Sequence, residues 1–319
     1  TYTAKDPHYA VVDQLRKDIL AQRAQLGLTP KSLKAMKAKL ADSGAPKRSR
    51  LDELLEEARE FAAEHAAEYQ AAVDGYVSGV LSGEIVSCEE IVLSCQRYMR
   101  DLENPKWEFR SEPACEVLAI IETTMCHQQG EFLDGTPLRG SPFKLLPYHL
   151  FIVFNIMGFY VAGTQLRRFT EAQDFIPRKN IKPTFAAALA WALALYYAPS
   201  GSKVYEVGGA LKQALEGFDF LSYNVRRLRL TVADDPENGL RIINNNGEHS
   251  ITGDVGDAGF ISINALAAST DKQDSFNCNI VIADEAHTYK GPKQYQILKD
   301  ATKAYTNKLV IIISSGGSN

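Results

Sequence analysis

Apolar residues recur along this chain in two rhythms. Between Leu51 and Val80 they fall three and four apart, at Leu54, Leu55, Phe61, Tyr69, Val73, Tyr76 and Val77, with acids early in the run. That spacing predicts one long amphipathic helix, its acids placed where the helix dipole favours them. Tyr9 to about Leu40 also reads as helix, Lys-rich and broken at Gly27-Leu28-Thr29-Pro30, and Ser43-Gly44-Ala45-Pro46 followed by KRSR reads as a linker. Ser87 with Glu90 predicts a capping box ahead of Ile91, Val92, Cys95, Tyr98 and Met99; Ser111-Glu112-Pro113 starts another helix through Ile121.

After Pro142 and Pro147 the texture changes to short β-branched runs alternating with helical ones. Strands are expected at Ala172–Ile176, Lys203–Val207, Leu228–Val232, Leu240–Ile243, Phe260–Ile263, Ile280–Ala283 and Leu309–Ile313. Strands alternating with helices predict an α/β fold, a sheet flanked by helices and preceded by a helical N-terminal region. Two longer apolar runs, Tyr148 to Ala162 and Phe185 to Ala198, fall short of the roughly 20 residues a membrane span needs and read as buried helices. The expected division is an extension and linker over residues 1–46, a helical subdomain over 47–140 and a nucleotide domain over 141–319.

Composition narrows this little. The chain has 319 residues, 45% hydrophobic and 23% charged, enough for one large domain or two modest ones. With 35 basic against 39 acidic residues the net charge is −4, so nucleic acid can be met only by a local patch. Cys88, Cys95, Cys115, Cys126 and Cys278 form no C-x-x-C pair and read as reduced core residues; Cys126-His127 lacks a second pair at zinc-ligand spacing. The chain opens at Thr1 without a signal-peptide pattern, which makes the cytosol the expected compartment.

The chemistry concentrates in NIVIADEAH, Asn279 to His287, a buried-type strand ending in Asp284-Glu285. Strand, Asp, Glu is the order in which a P-loop NTPase holds Mg²⁺ and aims the attacking water; the plain alternative is a buried strand with an acidic turn. Upstream, Ile176-Pro177-Arg178-Lys179-Asn180-Ile181-Lys182-Pro183-Thr184 leads from a strand into the Ala-rich helix at Phe185. Strand, basic loop and helix N-terminus make a phosphate cradle. A strict G-x-x-x-x-G-K-[ST] match is absent, because Ile181 stands where glycine belongs and Pro183 where Ser or Thr belongs.

At these residues the chain resembles the large subunits of tailed-phage terminases, whose deviant Walker A loop commonly reads P-R-K-N-G-K-[ST]. Pro177, Arg178, Lys179, Asn180 and Lys182 match it position by position, and Val77–Glu103, Pro142–Phe159, Arg167–Asn180, Val204–Phe220 and the segments around NIVIADEAH and LVIIISSGG carry the likeness along most of the chain. The resemblance implies a P-loop fold of the ASCE, RecA-like kind and an ATPase that packages double-stranded DNA through a portal into a procapsid. It implies ATP and Mg²⁺ as cofactors, a small terminase subunit as partner, assembly as a homo-oligomeric ring, no membrane, and the cytoplasm of an infected bacterium as location. The matching roles are Arg178, Lys179, Asn180 and Lys182 on the phosphates, Asp284 on Mg²⁺, Glu285 on the hydrolytic water, and Ser314, Ser315 and Gly316 in the coupling motif. His149 occupies the place of the adenine-side glutamine; a core or helix-capping histidine is the alternative.

Ile181 and Pro183 depart from that pattern and predict weakened nucleotide affinity or turnover, with Thr184 as a substitute hydroxyl. Arg226, Arg227 and Arg229, like Arg167 and Arg168, offer a transition-state arginine or a DNA-backbone contact, against charge on a strand edge. Leu26-Gly27-Leu28-Thr29-Pro30-Lys31-Ser32 resembles a turn in small terminase subunits. Two other functions compete. His287 completes D-E-A-H, the signature of a superfamily 2 helicase; and a chain with a degenerate P-loop can serve as a non-catalytic DNA- or partner-binding scaffold.

Overall fold

The computed structural model describes residues 49–177, 180–255, 259–268, 277–289 and 291–314. The readings of the 1–46 extension, its linker and its small-subunit-like turn lie outside these residues.

The helical front begins at Ser49, whose hydroxyl accepts the Asp52 N–H at 3.1 Å while the Asp52 carboxylate accepts the Ser49 N–H at 3.0 Å. This reciprocal cap opens α1 (Arg50–Ser82), which runs to Gly83 at φ 81°, a left-handed closure that glycine adopts freely. Helices α2 (Glu89–Glu103), α3 (Glu112–Thr124) and α4 (Pro147–Gly158) follow, with a small hairpin of β1 (Trp107–Phe109) and β2 (Phe159–Val161) tying the end of α4 to the chain after α2. Then come β3 (Glu171–Phe175), α5 (Lys182–Tyr196), β4 (Ser202–Gly208), α6 (Leu211–Arg227), β5 (Arg241–Asn244), β6 (His249–Asp254), β7 (Phe260–Ala267), β8 (Ile280–Asp284), α7 (Pro292–Asp300) and β9 (Leu309–Ser314).

Seven strands form one sheet in the order β3-β9-β8-β4-β7-β6-β5. The first five are mutually parallel, β6 runs antiparallel to β7, and β5 runs antiparallel to β6. The strand feeding the basic loop is separated from the Asp-Glu strand by β9 alone, an arrangement of the RecA-like P-loop kind. Helix α5 is apolar on all sides, and Phe185 through Leu195 are buried. Such a helix has no face to give to water, so it lies sandwiched in a core shared by α1, α3, α4, α6 and the sheet. Trp191, fully buried at its centre, donates its indole N–H to the Thr124 hydroxyl at 3.1 Å. Among the described residues no helix is long and apolar enough to cross a membrane.

Several local expectations change. The Ser87 capping box does not form: Ser87 donates its hydroxyl to the Ile85 carbonyl at 3.3 Å, and Cys88 is the cap residue instead, exposed rather than in the core. Cys95, Cys115, Cys126 and Cys278 are buried. The run Tyr148–Ala162 is a helix only to Gly158 and then turns into β2. Leu228–Val232 is not a strand. Its backbone closes α6, with Arg229 at φ 57° donating to Arg226 O and Leu230 donating to Val225 O, each at 3.1 Å, a Schellman-type stop that takes the groups a strand would use. Strand β6 was not foreseen. Asn245 nucleates the turn before it by accepting the N–H groups of Gly247 and Glu248 at 2.8 and 2.9 Å.

Gly217 of α6 faces the buried Glu206 of β4, and a Cβ there would overlap the carboxylate. Gly217→Ala is therefore expected to lower stability by about 1–3 kcal/mol, read as a reduced urea midpoint. An unchanged midpoint would mean that α6 does not rest on Glu206.

Candidate functional site

Strand registers bring the chemistry into one line. Phe175 pairs with Ser314, Asp284 with both Ile313 and Gly208, and Gly208 with Ala267, so the C-terminal ends of β3, β9, β8, β4 and β7 finish together. In a parallel sheet this edge opens on the ligand crevice. Lys182, the first residue of α5, stands there, 5% exposed, with its ammonium against the Glu285 carboxylate.

Two residues beside this contact hold left-handed backbone that side chains disfavour. Ile181 has φ 46° and ψ 25°, and Glu285 φ 48° and ψ 46°. Each costs about 1–2 kcal/mol relative to ordinary helical backbone. The glycine-like conformation anticipated at position 181 is thus adopted by isoleucine. Pro183 sits in the first turn of α5, where a missing N–H leaves no helical bond unmade. Thr184, half-buried, follows it, and Asn180 is exposed, donating its side-chain amide to the Pro177 carbonyl at 3.3 Å. Arg178, Lys179, Ser315 and Gly316 lie outside the described residues.

Beyond Glu285 the contacts continue. His287 Nδ1 lies 3.0 Å from Glu285 Oε2 and 2.7 Å from Ser314 Oγ. The acidic strand is thereby joined to the end of β9 through His287. The sequence had offered His287 only as a helicase signature; the link depends on β9 lying beside β8, which no linear motif encodes. Tyr289 donates its hydroxyl to Val207 O at 2.8 Å, and Gly209 brings its backbone against the Thr288 side chain, so the turn is pinned onto β4.

Electrostatics sharpen the site. Asp284 is 3% exposed, and one oxygen, Oδ1, has no hydrogen-bond partner among the described residues. Burial pushes its pKa up to about 6, Lys182 opposing the rise and Glu285 adding to it. Glu206, on β4 beside Ile282, is pushed up to about 8 by burial and then by Asp284. An orphaned buried carboxylate oxygen beside a lysine fits a divalent cation held by one carboxylate and by phosphate oxygens. Among the described residues there is no cluster of three or more His, Cys, Asp or Glu that could hold a metal.

The other candidates go elsewhere. His149 is fully buried between Tyr148 and Phe185, its Nδ1 accepting the Leu146 N–H at 3.1 Å to cap α4; burial lowers its pKa to about 4. It is the core and capping histidine of the two readings. Arg167 is buried and donates to the carbonyls of Asn307 and Lys308 at 2.7 and 3.0 Å, and Arg168 pairs with Asp101. Both are structural. Arg226 and Arg227 end α6, about 25 Å of helix from its start beside the crevice, so they do not reach Glu285 in the same chain.

A family model described as "Terminase large subunit, ATPase domain" matches residues 147–319, more than half of the chain. The chain is similar to the large terminase of bacteriophage HK97 at 21% identity, covering 66% of this chain and 39% of that one with a TM-score of 0.48. It is similar to the large terminase ATPase domain of Thermus phage P74-26 at 18% identity, covering 48% of this chain and 64% of that one with a TM-score of 0.33. It therefore spans less than two thirds of either protein's solved chain. No curated protein matches.

Two buried groups give the fold opposite responses to pH. A glutamate loses its proton near pH 4.3 in the unfolded chain, so the contribution of Glu206 is whole below that and lost as pH rises through about 8. Neutral His149 contributes fully above about pH 6.5 and loses its contribution as pH falls through about 4. Glu206→Gln is expected to remove the alkaline loss, gaining more than about 1 kcal/mol over the parent in urea unfolding at pH 8.5 and little at pH 5. Parallel curves at the two pH values would show that Glu206 does not titrate in this range.

Proposed function

The chain belongs to the family of terminase large subunit ATPase domains, and on that membership we propose that it hydrolyses ATP to drive double-stranded DNA through a portal into a procapsid. The observation that carries the reading is the buried Lys182 set against Asp284-Glu285 at the aligned strand ends. Family membership groups residues 147–319 with terminases rather than with DEAH helicases. The partners that go with this reading are the portal, a small terminase subunit and further copies of the chain in a ring, in the cytoplasm of the infected host.

In the proposed mechanism Lys182 and the N-terminal amides of α5 bind the β- and γ-phosphates, assisted by Arg178, Lys179 and Asn180. Asp284, whose Oδ1 has no partner among the described residues, would hold Mg²⁺, and Thr184 would offer a hydroxyl from the first turn of α5. Mg²⁺, when bound, neutralises charge developing on the phosphate oxygens. A γ-phosphate competes with Glu285 for the Lys182 ammonium, and the freed carboxylate orients the attacking water. Release of Glu285 also alters its contact with His287, which touches Ser314. Movement of Ser314 and the following Ser315 and Gly316 then couples hydrolysis to translocation.

Titration with a fluorescent ATP analogue tests the reading. Mg²⁺-dependent binding is expected in the parent, lost in Lys182→Ala, and kept in Glu285→Gln while turnover falls at least about 100-fold. Ile181→Gly combined with Pro183→Ser should raise the ATPase rate, since it removes a strained side chain and restores the hydroxyl. A parent that binds no nucleotide with Mg²⁺ is a scaffold rather than a motor.

A further inference from the structure

At the far end of α6 from the crevice, a groove of about 580 Å³ opens between the last turns of that helix and the segment joining α3 to α4. Arg226 and Arg227 line it from the helix, with Ser222 and Tyr223 a turn earlier and Asp219 before them; Arg139 and Gln128 face them from the joining segment. Three guanidinium groups thus meet one carboxylate.

Each has a distinct setting. Arg227 is fixed, donating to Thr124 O at 2.7 Å, and Arg139 lies over the Tyr223 ring with its guanidinium carbon 5.2 Å from the centroid. Arg139 and Arg226 are exposed and form no ion pair with any described residue. Ser222 is 3% exposed, and its hydroxyl has no hydrogen-bond partner among the described residues. The negative end of the α6 dipole accounts for cations at Arg226 and Arg227. It does not account for Arg139, which another segment brings to the same place, nor for a buried hydroxyl left without a partner.

We propose that this groove is a second phosphate site, holding a phosphate ester apart from the nucleotide crevice. A carboxylate satisfies one guanidinium fork, whereas a phosphate offers oxygens in several directions and suits forks arriving from two segments with hydroxyl and amide donors between them. The source of the phosphate is either a nucleic-acid backbone, for which an open groove leaves room on both sides, or a free nucleotide. The groove residues of α6, Asp219 to Arg227, lie about 12–24 Å along the helix from its start, so the two sites do not share a phosphate.

The test uses the full chain carrying Lys182→Ala, which silences the crevice and makes the outcome independent of ATP hydrolysis. Binding of a short labelled DNA duplex at low salt is followed by anisotropy, with ATP and inorganic phosphate as competitors. Adding Arg139→Ala and Arg226→Ala should weaken binding about tenfold or more and reduce the salt slope by about 2. Asp219→Asn should tighten it several-fold, a gain that damage to the fold would not produce. Duplex binding that follows these variants identifies the backbone as source. Binding of ATP and phosphate but not duplex, with the same response, identifies a free phosphate ester. Failure of all three to bind, or affinities that neither the double variant nor Asp219→Asn changes while circular dichroism stays native, overturns the proposal.

Discussion

Everything in this fold is arranged around a helix with no side for water. From Phe185 to Leu195 every residue of α5 is buried, so the helix is covered by the sheet on one flank and by α3, α4 and α6 on the others, within a core that α1 completes. Its alanines let neighbouring backbones approach, and Trp191 fixes its rotation through the bond to Thr124. A helix held on all sides cannot slide, and its N-terminus is therefore a fixed point. That is what a phosphate-binding helix end must be, because amides and a lysine 1 Å out of place lose most of their effect on a transferring phosphoryl group.

The second constraint is charge in a dry place. Lys182, Asp284 and Glu206 are each at most 5% exposed, and Glu285 closes on the lysine. Burial pushes Asp284 up to about 6, with Lys182 opposing the rise and Glu285 adding to it, and burial followed by the charge of Asp284 pushes Glu206 on the neighbouring strand up to about 8. The electrostatic preference of the site follows: an added cation is welcome beside Asp284. The same low dielectric strengthens the attraction between Lys182 and Glu285.

The parallel strands, the buried helices and the position of the acidic pair at a strand end were legible in the sequence because each rests on local periodicity or on a motif read at one point of the chain. The errors share a cause too. Leu228–Val232 alternates like a strand, yet the carbonyls of Val225 and Arg226 claim its backbone for a helix stop; the polar β6 was hidden because hydrophobic patterning ignores a turn nucleated by Asn245. Ser87 looked like a cap and was outcompeted by a neighbouring carbonyl at Ile85. At the site, Lys182 and Glu285 are 103 positions apart, and only the strand order brings them together. His287 acquired its role in the same way, through the placement of β9 beside β8.

Strain falls where the contacts converge. Ile181 and Glu285, both in left-handed backbone, flank the Lys182–Glu285 contact from its two ends, one preceding the lysine and the other bearing the carboxylate. Unfavourable backbone persists only where surrounding packing over-determines it, here the immobile α5 on one side and the β8–β9 ladder on the other, with Glu285 N–H bonded to Ile313 O at 2.8 Å. A ligand that separates the lysine from the glutamate acts on both strained residues at once. Glu285 also reaches Ser314 through His287, so position 285 is connected to the end of β9. The Lys182–Glu285 ion pair is thus set a single strand away from Ser314, with His287 between them.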